Sequence, residues 1–216
     1  MVKTPEEYFQ NLELSPVAVA SDAGLTDAEQ AFVSKYMGIE GAKDLGLDLA
    51  TQKQENTRDI PITSALQDEL KTESSIQMVS FYLDSQIYTI PIVTVQEVIR
   101  FISPTLLPMA PPFVAGVINL RGRVTPLLYL DQLVTNTSRQ HGDEKFIIIC
   151  TRKGLQVGLI IDKVHSMYFV RQEQIIWNIE SQIGASAEYL CGLVDIDDKI
   201  FGIVSIDMIV DQVLQS

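Results

Sequence analysis

The strongest constraint on the fold is an internal duplication, because two segments of the sequence follow one pattern without a gap. Residues 114–134 read VAGVINLRGRVTPLLYLDQLV, and residues 190–210 read LCGLVDIDDKIFGIVSIDMIV. Glycine, aspartate and valine positions coincide in the following pairs: Gly116 with Gly192, Asp131 with Asp207, and Val134 with Val210. A second pairing sets residues 88–95, YTIPIVTV, against residues 157–164, VGLIIDKV. The chain therefore contains two halves built on one plan.

Each copy of the longer repeat predicts a β-hairpin, since apolar and β-branched residues flank a short turn. The first turn contains Arg121 and Gly122, and the second contains Asp197 and Asp198. Gly122 accepts turn conformations that a Cβ atom disfavours. The second copy builds its turn without a cation, so the turn itself does not require Arg121. We therefore predict that Arg121 serves a contact.

The sequence from Met78 onward is β-like, with turn signals at the spacing of a small barrel or sandwich. The predicted strands are Met78–Leu83, Ile87–Ile90, Val114–Leu120, Arg123–Leu130, Lys145–Thr151, Gln156–Ile161, Cys191–Ile196 and Lys199–Ser205. Short helices are predicted at Val93–Val98, Asp131–Val134, Val164–Ser166 and Ile206–Val213. No long helical pattern alternates with the strands, which argues against a parallel α/β sheet. We expect an all-β fold of two small barrels related by a pseudo-two-fold axis, because barrels remove exposed strand edges.

Composition excludes several classes of function. The net charge is −12, and nucleic-acid binding would need clustered Lys and Arg instead. No apolar run approaches the roughly 20 residues that span a bilayer, and the N-terminus, MVKTPEEYFQ, lacks the apolar core of a signal peptide. Cys150 and Cys191 lie in apolar runs and are expected to be buried, reduced thiols. We expect a cytoplasmic protein without membrane insertion.

Residues 1–75 form an acidic extension and linker, and residues 76–216 form the β domain. Helix-start signals occur at 4–7 (TPEE) and at 26–29 (TDAE), with Gly38 as a stop after the second, and a short helix is expected around 65–71. Such short helices are marginal in isolation. They either cover the main domain or fold on a partner as a docking segment. Because the β pattern is complete without them, we expect 76–216 to fold alone.

The residues do not predict an enzyme, a metal site or a cofactor. His141 and His165 lie on different predicted elements, and no Cys-x-x-Cys occurs. Cys150 and Cys191 sit where burial disfavours a thiolate. One enzymatic alternative, a small β-barrel hydrolase, would use the acids of the second hairpin, Asp195, Asp197 and Asp198. Acids at a hairpin tip are far more often solvated turn formers.

Two further features of the first half admit either a structural role or a binding role. The loop before the first hairpin is crowded with apolar residues, which either pack between the barrels or form a binding patch: Phe101, Ile102, Leu106, Leu107 and Met109. Glu97 and Arg121 are both charged in this half, whereas their counterparts are Ser166 and Asp197. A salt bridge would orient both side chains; otherwise they are unrelated surface charges.

These residues together resemble the CheW-type chemotaxis coupling proteins over about residues 76–213. The segments that carry the resemblance are VQEVI at 95–99, PFVAGVINLRG at 112–122, PLLYLD at 126–131, VGLIIDKV at 157–164 and YLCGL at 189–193. The resemblance implies two five-stranded SH3-like barrels and a non-catalytic adaptor. It implies a CheA-type histidine kinase and the cytoplasmic tips of methyl-accepting chemoreceptors as partners, with the receptor tip in an apolar groove between the barrels. The protein would then lie at membrane-associated receptor arrays.

By position, the resemblance assigns partner contacts to Val95, Glu97, Gly116 and Arg121. Arg121 could equally hold Glu97 and shape the local surface. The acidic extension departs from a minimal coupling protein: it could tether another factor, restrict the choice of kinase or mask the groove. The alternative function is a scaffold in a non-chemotactic receptor–kinase pathway, such as surface motility or second-messenger control.

Overall fold

The elements that position the candidate site are described in a computed structural model, which covers residues 25–36, 66–135, 146–177, 179 and 188–215. The helices are α1 Asp27–Tyr36, α2 Leu66–Thr72, α3 Leu130–Val134 and α4 Ile206–Gln215. The strands are β1 Ser75–Leu83, β2 Gln86–Pro91, β3 Val95–Arg100, β4 Val114–Leu120, β5 Arg123–Tyr129, β6 Phe146–Arg152, β7 Leu155–Ile161, β8 Lys163–Arg171, β9 Ile175–Trp177, β10 Leu190–Ile196 and β11 Lys199–Val204. The predicted helix start at 4–7 and His141 lie outside the described residues.

The strands form two sheets that exchange strands between the halves of the chain. The first sheet has the order β8-β1-β2-β11-β10-β9, and the second has the order β3-β6-β7-β5-β4. The first sheet thus combines β1 and β2 of the first half with strands of the second half. The second sheet combines β6 and β7 of the second half with β3, β4 and β5. Each half therefore completes the sheet of the other.

The duplication extends to irregularities in the strand register. The β4–β5 register shifts between Val114 and Gly116, and the β10–β11 register shifts between Leu190 and Gly192, which are the positions that the sequence pairs. Each sheet also contains one parallel pairing at equivalent places, β5 beside β7 and β11 beside β2. Such coincidence of bulges and pairings supports the pseudo-two-fold relation between the halves.

Both sheets close on themselves next to a glycine. In the first, β8 continues through a 3-10 turn into β9, which pairs with β10 at the opposite edge. In the second, Thr105 bridges Val117, and its N–H donates to the Val117 oxygen over 2.8 Å. A Cβ atom at Gly116 would lie 2.3 Å from the Thr105 oxygen, and one at Gly192 would lie 2.9 Å from the Ile176 oxygen. The expected pair of five-stranded barrels is confirmed, with β8 and β9 as one bent strand.

Three hydrophobic clusters hold the barrels together. One draws on the strands of the first sheet and on α2, and includes Met78, Val194 and Ile203. A second draws on the second sheet alone, and includes Ile118 and Ile147. The largest contains residues of both sheets together with α1, α3 and α4, so it joins the two barrels. Alternation along the strands sends one set of side chains into a barrel and the other toward this shared core.

Two helices of the N-terminal extension belong to these cores. Phe32 and Val33 of α1 are each 1% exposed in the shared core, and Leu70 of α2 is 4% exposed in the core of the first barrel. The predicted capping box forms, since the Glu29 carboxylate accepts from the Thr26 N–H over 2.8 Å and the Thr26 hydroxyl accepts from the Glu29 N–H over 3.2 Å. These two helices therefore cover the main domain.

Two of the predicted helices are wrong, and the other two are confirmed. Residues 92–94 form a 3-10 turn and the rest of the predicted helix at 93–98 is strand β3, while the predicted helix at 164–166 lies inside β8. Both segments become strands because partners from the other half take them up: β3 pairs with β6, and β8 pairs with β1. The predicted helices after the two hairpins are α3 and α4.

Candidate partner-binding site

The Glu97 and Arg121 side chains meet where the second barrel closes. Glu97 lies on β3 and Arg121 in the turn after β4, and these strands form opposite edges of the sheet. The Arg121 Nη2 atom lies 2.9 Å from the Glu97 Oε2 atom. The salt bridge that the sequence left open is therefore present, and it spans the seam of the barrel.

The turn that carries Arg121 has an unusual residue for its backbone conformation. Arg121 has φ 55° and Gly122 has φ 81°, as a type I′ hairpin turn requires. The Asn119 side-chain oxygen accepts from the Gly122 N–H over 2.9 Å. Asp197 and Asp198 adopt φ 53° and 60° in the second hairpin, and aspartate tolerates this region better than arginine does. Lys153 of the β6–β7 turn adopts the same conformation, with φ 50°, so the argument for a contact at Arg121 rests on its ion pair and not on its backbone.

Exposure of the ion pair separates a stabilising role from a binding role. The Arg121 side chain is 73% exposed and that of Glu97 is 26% exposed. Solvent-exposed pairs contribute about 0–1 kcal/mol to stability. The guanidinium is accordingly oriented by Glu97 and stays accessible to a partner, with little effect on the fold.

The other two candidate residues lie beneath this surface. Gly116 is buried, and its φ of 140° together with the nearby Thr105 oxygen leaves no space for a side chain. Val95 is partly buried against the shared core and pairs with Cys150. The structure thus brings Glu97 and Arg121 into contact, whereas Gly116 and Val95 shape the strands around them. Contact of these four residues with a partner stays a prediction.

Some residues of the apolar loop before the first hairpin pack against the core, and others are exposed as a binding patch would be. Phe101 packs against the core of the second barrel and Leu107 against the shared core. Ile102, Leu106 and Met109 are 50%, 77% and 83% exposed. The Thr105–Val117 bridge fixes this loop over β4. Apolar side chains held outward on an anchored loop are typical of an interaction surface.

A cleft of about 930 Å³ lies between the first barrel and helix α3, within the part of the chain that the structure describes. It is lined by residues of the β1–β2 hairpin, the β10–β11 hairpin and α3, among them Tyr88, Val134, Leu193 and Phe201. Because α3 directly follows β5 of the second barrel, this cleft lies between elements of both barrels. The resemblance implies an inter-barrel groove as the receptor site, and the assignment of that groove to this cleft stays a prediction.

The remaining candidates for chemistry have structural roles. Asp197 and Asp198 form the second hairpin turn, as turn formers do. Cys150 and Cys191 are buried as expected, and burial raises the pKa of each thiol to about 12. The His165 ring meets the Tyr82 ring edge-on, with centroids 5.1 Å apart. Among the described residues, no group of three metal-ligating side chains is placed to hold an ion.

Comparison with known proteins identifies the domain. The model of the CheW-like domain matches residues 77–214, which is well over half of the chain. The chain belongs to the CheW-like family. Its members are non-catalytic scaffolds and adaptors of chemotaxis, and the chain is one of them. Helices α1 and α2 both lie before the matched region.

Individual relatives agree with the family assignment. The chain is 29% identical over 149 residues to the chemotaxis protein CheW of Thermotoga maritima, which covers 68% of this chain and 94% of that protein. It is 32% identical over 107 residues to CheW of Bacillus subtilis, with 50% and 67% covered. The crystal structure of the scaffolding protein TtCheW from Thermoanaerobacter tengcongensis matches with a TM-score of 0.55 and 29% identity, over 60% of this chain and 88% of that one.

The helices of the structure also bear on membrane placement. No helix within the described ranges is both long and apolar enough to cross a bilayer. The longest, α1 and α4, have 10 residues each, which is half of what a span requires.

Proposed function

We propose that this chain couples the signalling tips of chemoreceptors to a CheA-type histidine kinase in chemotaxis. Membership of the CheW-like family over residues 77–214 carries the proposal. The protein would act in the cytoplasm, at membrane-associated receptor arrays. It would supply binding surfaces and no chemistry of its own.

The Arg121 turn and the apolar loop would form one of these surfaces. The turn after β4 offers an exposed guanidinium, and the loop bridged to β4 at Val117 offers outward-facing Leu106 and Met109, so the two would supply charge and apolar contact. Interfaces commonly combine an apolar centre with a polar rim, and Arg is enriched in them. In this proposal Arg121 and Glu97 contact a partner, while Gly116 and Val95 keep the surface in shape.

The cleft between the barrels would accept the helical tip of a receptor. Its lining includes apolar side chains such as Leu193 and Phe201, which suit the apolar face of an amphipathic helix. Binding a kinase on one surface and a receptor on another would place both proteins in one assembly. Individually weak contacts would then gain strength through multivalency.

A scaffold in a non-chemotactic receptor–kinase pathway is the second candidate function. The observation that favours it is the N-terminal segment with α1 and α2, which lies before the region that the family model matches. The same domain would serve both functions, and partner identity alone distinguishes them.

The test is kinase autophosphorylation with clustered receptor tips, measured with and without this protein. We expect the protein to change the rate only when kinase and tips are both present. An unchanged rate with folded protein, across kinases from chemotaxis systems, would contradict the chemotactic proposal. A change with a kinase of another pathway alone would support the second candidate.

A further inference from the structure

Helix α1 is tied to two separate elements of the domain at its ends, although it precedes the family domain in the chain. At its start, the Thr26 hydroxyl donates to the Gly154 oxygen in the β6–β7 turn over 2.7 Å. At its end, the Lys35 ammonium donates to the Leu214 oxygen over 3.1 Å and the Tyr36 hydroxyl to the Val213 oxygen over 3.4 Å. The carbonyls at the end of α4 lack partners within their own helix, so these bonds satisfy acceptors that the helix leaves open.

A third contact is made by a buried carboxylate. The Glu29 side chain is 2% exposed, and its Oε1 atom lies 3.6 Å from the Nε atom of Arg123. Its other oxygen accepts from the Thr26 N–H over 2.8 Å. Removing a carboxylate from water is costly unless a cation and hydrogen bonds compensate it. Arg123, which is 41% exposed, supplies positive charge within ion-pair distance, and because Oε1 accepts no hydrogen bond this charge is its compensation among the described residues.

Arg123 connects this buried pair to the candidate binding site. It is the first residue of β5, pairs with Leu120 across the hairpin and follows Gly122 directly. Arg121, two residues earlier, reaches β3 through Glu97. The turn is therefore held from two sides, by Arg121 against β3 and by Arg123 against α1.

We infer that α1 is a built-in positioning element for the Arg121 turn, acting through the Glu29–Arg123 pair. The extension then acts on the binding surface in cis, through a helix that the family domain does not include. The positioning can be tested in the isolated protein. Its consequence for a partner rests on the proposed function.

Hydrogen exchange of the full chain tests the positioning. In Arg123→Gln the Glu29 carboxylate keeps its burial but loses its cation, so amides of α1 and of residues 119–124 should exchange faster by about fivefold or more, the lower end of typical couplings. The double variant Glu29→Gln/Arg123→Gln removes the uncompensated charge, and Gln still suits a capping box. Its exchange should return toward the wild-type rate.

The matched control is Lys199→Gln, because Lys199 occupies the position equivalent to Arg123 in the second hairpin and is exposed. It should leave exchange in both segments unchanged. The inference would be overturned if Arg123→Gln exchanged its amides at the wild-type rate. It would also be overturned if amides of the double variant exchanged as fast as those of Arg123→Gln. If each residue had only a separate structural role, the effects of the two substitutions on the exchange rates would add, and the double variant would not recover toward the wild-type rates.

Co-sedimentation with a CheA-type kinase and clustered receptor tips tests the consequence. Recovery of Arg123→Gln should fall by about fivefold or more, and recovery of the double variant should rise above it. Wild-type recovery of Arg123→Gln, despite faster exchange at the turn, would overturn the link to binding. If the wild-type protein itself is not recovered, the proposed function fails, and the exchange result still decides whether α1 positions the turn.

Discussion

The 2.9 Å contact between Arg121 and Glu97 joins the two edges of the second barrel. Glu97 lies on β3 and Arg121 in the turn after β4, and the two side chains meet at the seam where the sheet closes. The corresponding turn of the first barrel has Asp197 in place of Arg121, and it adopts the same backbone conformation. The two halves thus share one fold and differ in the charge of this turn. A change of surface charge in one copy can give a duplicated scaffold a specific contact without altering its fold.

Replacing Arg121 by alanine should weaken assembly with kinase and receptor tips while changing the free energy of unfolding by less than about 1 kcal/mol. The matched control is Lys153→Ala, because Lys153 also occupies a turn at positive φ and forms an exposed ion pair, with Asp211. Chemical unfolding and co-sedimentation measure the two effects. Gross unfolding of Arg121→Ala would mean that the arginine is structural.

Replacing Gly116 by alanine should open the seam of the second barrel, because its Cβ would collide with the Thr105 oxygen. We expect a loss of about 2–4 kcal/mol in unfolding free energy, which combines left-handed strain with overpacking. Gly122→Ala is the control: nothing lies within 4 Å of its Cβ position, so strain alone should cost about 1 kcal/mol. Equal losses in the two variants, measured by denaturant unfolding, would contradict the closing role of Gly116.

The N-terminal helices should stabilise the domain. Phe32→Ala should lower the unfolding free energy by about 3–5 kcal/mol because its side chain is buried in the shared core. An exposed position on the same helix gives the control, Ser34→Ala, with little expected change. We accordingly expect the 76–216 fragment to melt well below the full chain, while its ability to fold alone stays a prediction from its sequence pattern. Equal melting temperatures would show that α1 and α2 contribute little.

The two cysteines should be unreactive in the folded protein. Burial raises the pKa of Cys150 and Cys191 from 9.0 to about 12, so both stay neutral thiols at pH 8. An aromatic disulfide reagent should therefore label them only on unfolding. Between about pH 9 and pH 12 the unfolded chain loses thiol protons that the native state keeps, so stability should fall as pH rises. Rapid labelling of native protein at pH 8 would contradict this burial.

Local pairing explains which parts of the fold the sequence predicts. The hairpins β4–β5 and β10–β11 are encoded by adjacent residues, and the first strand, Val114–Leu120, is predicted with its observed bounds. Helix α1 follows from its capping box at Thr26 and Glu29. The sequence predicts helices at β3 and at the start of β8, because the strands that pair with them lie in the other half of the chain and leave no local signal.

The candidate site is predicted in the same uneven way. Contrast between the two hairpin turns singles out Arg121, and Glu97 follows as its opposite charge. The sequence does not predict the Glu29–Arg123 pair. Glu29 already has a role in the capping box, so its presence in the sequence does not point to a distant partner. The Thr105–Val117 bridge is missed as well, since a single bridge leaves no periodic pattern. A glycine at equivalent places in both repeats, Gly116 and Gly192, was the available signal for the closing contacts.

Co-sedimentation tests the adaptor role most directly. The full chain would be mixed with a CheA-type kinase and clustered receptor tips, with each component omitted in turn and Arg121→Ala run in parallel. We predict that the kinase sediments with the tips only when this protein is present, and that Arg121→Ala lowers its recovery. Kinase recovery that is the same with and without folded protein would contradict the account.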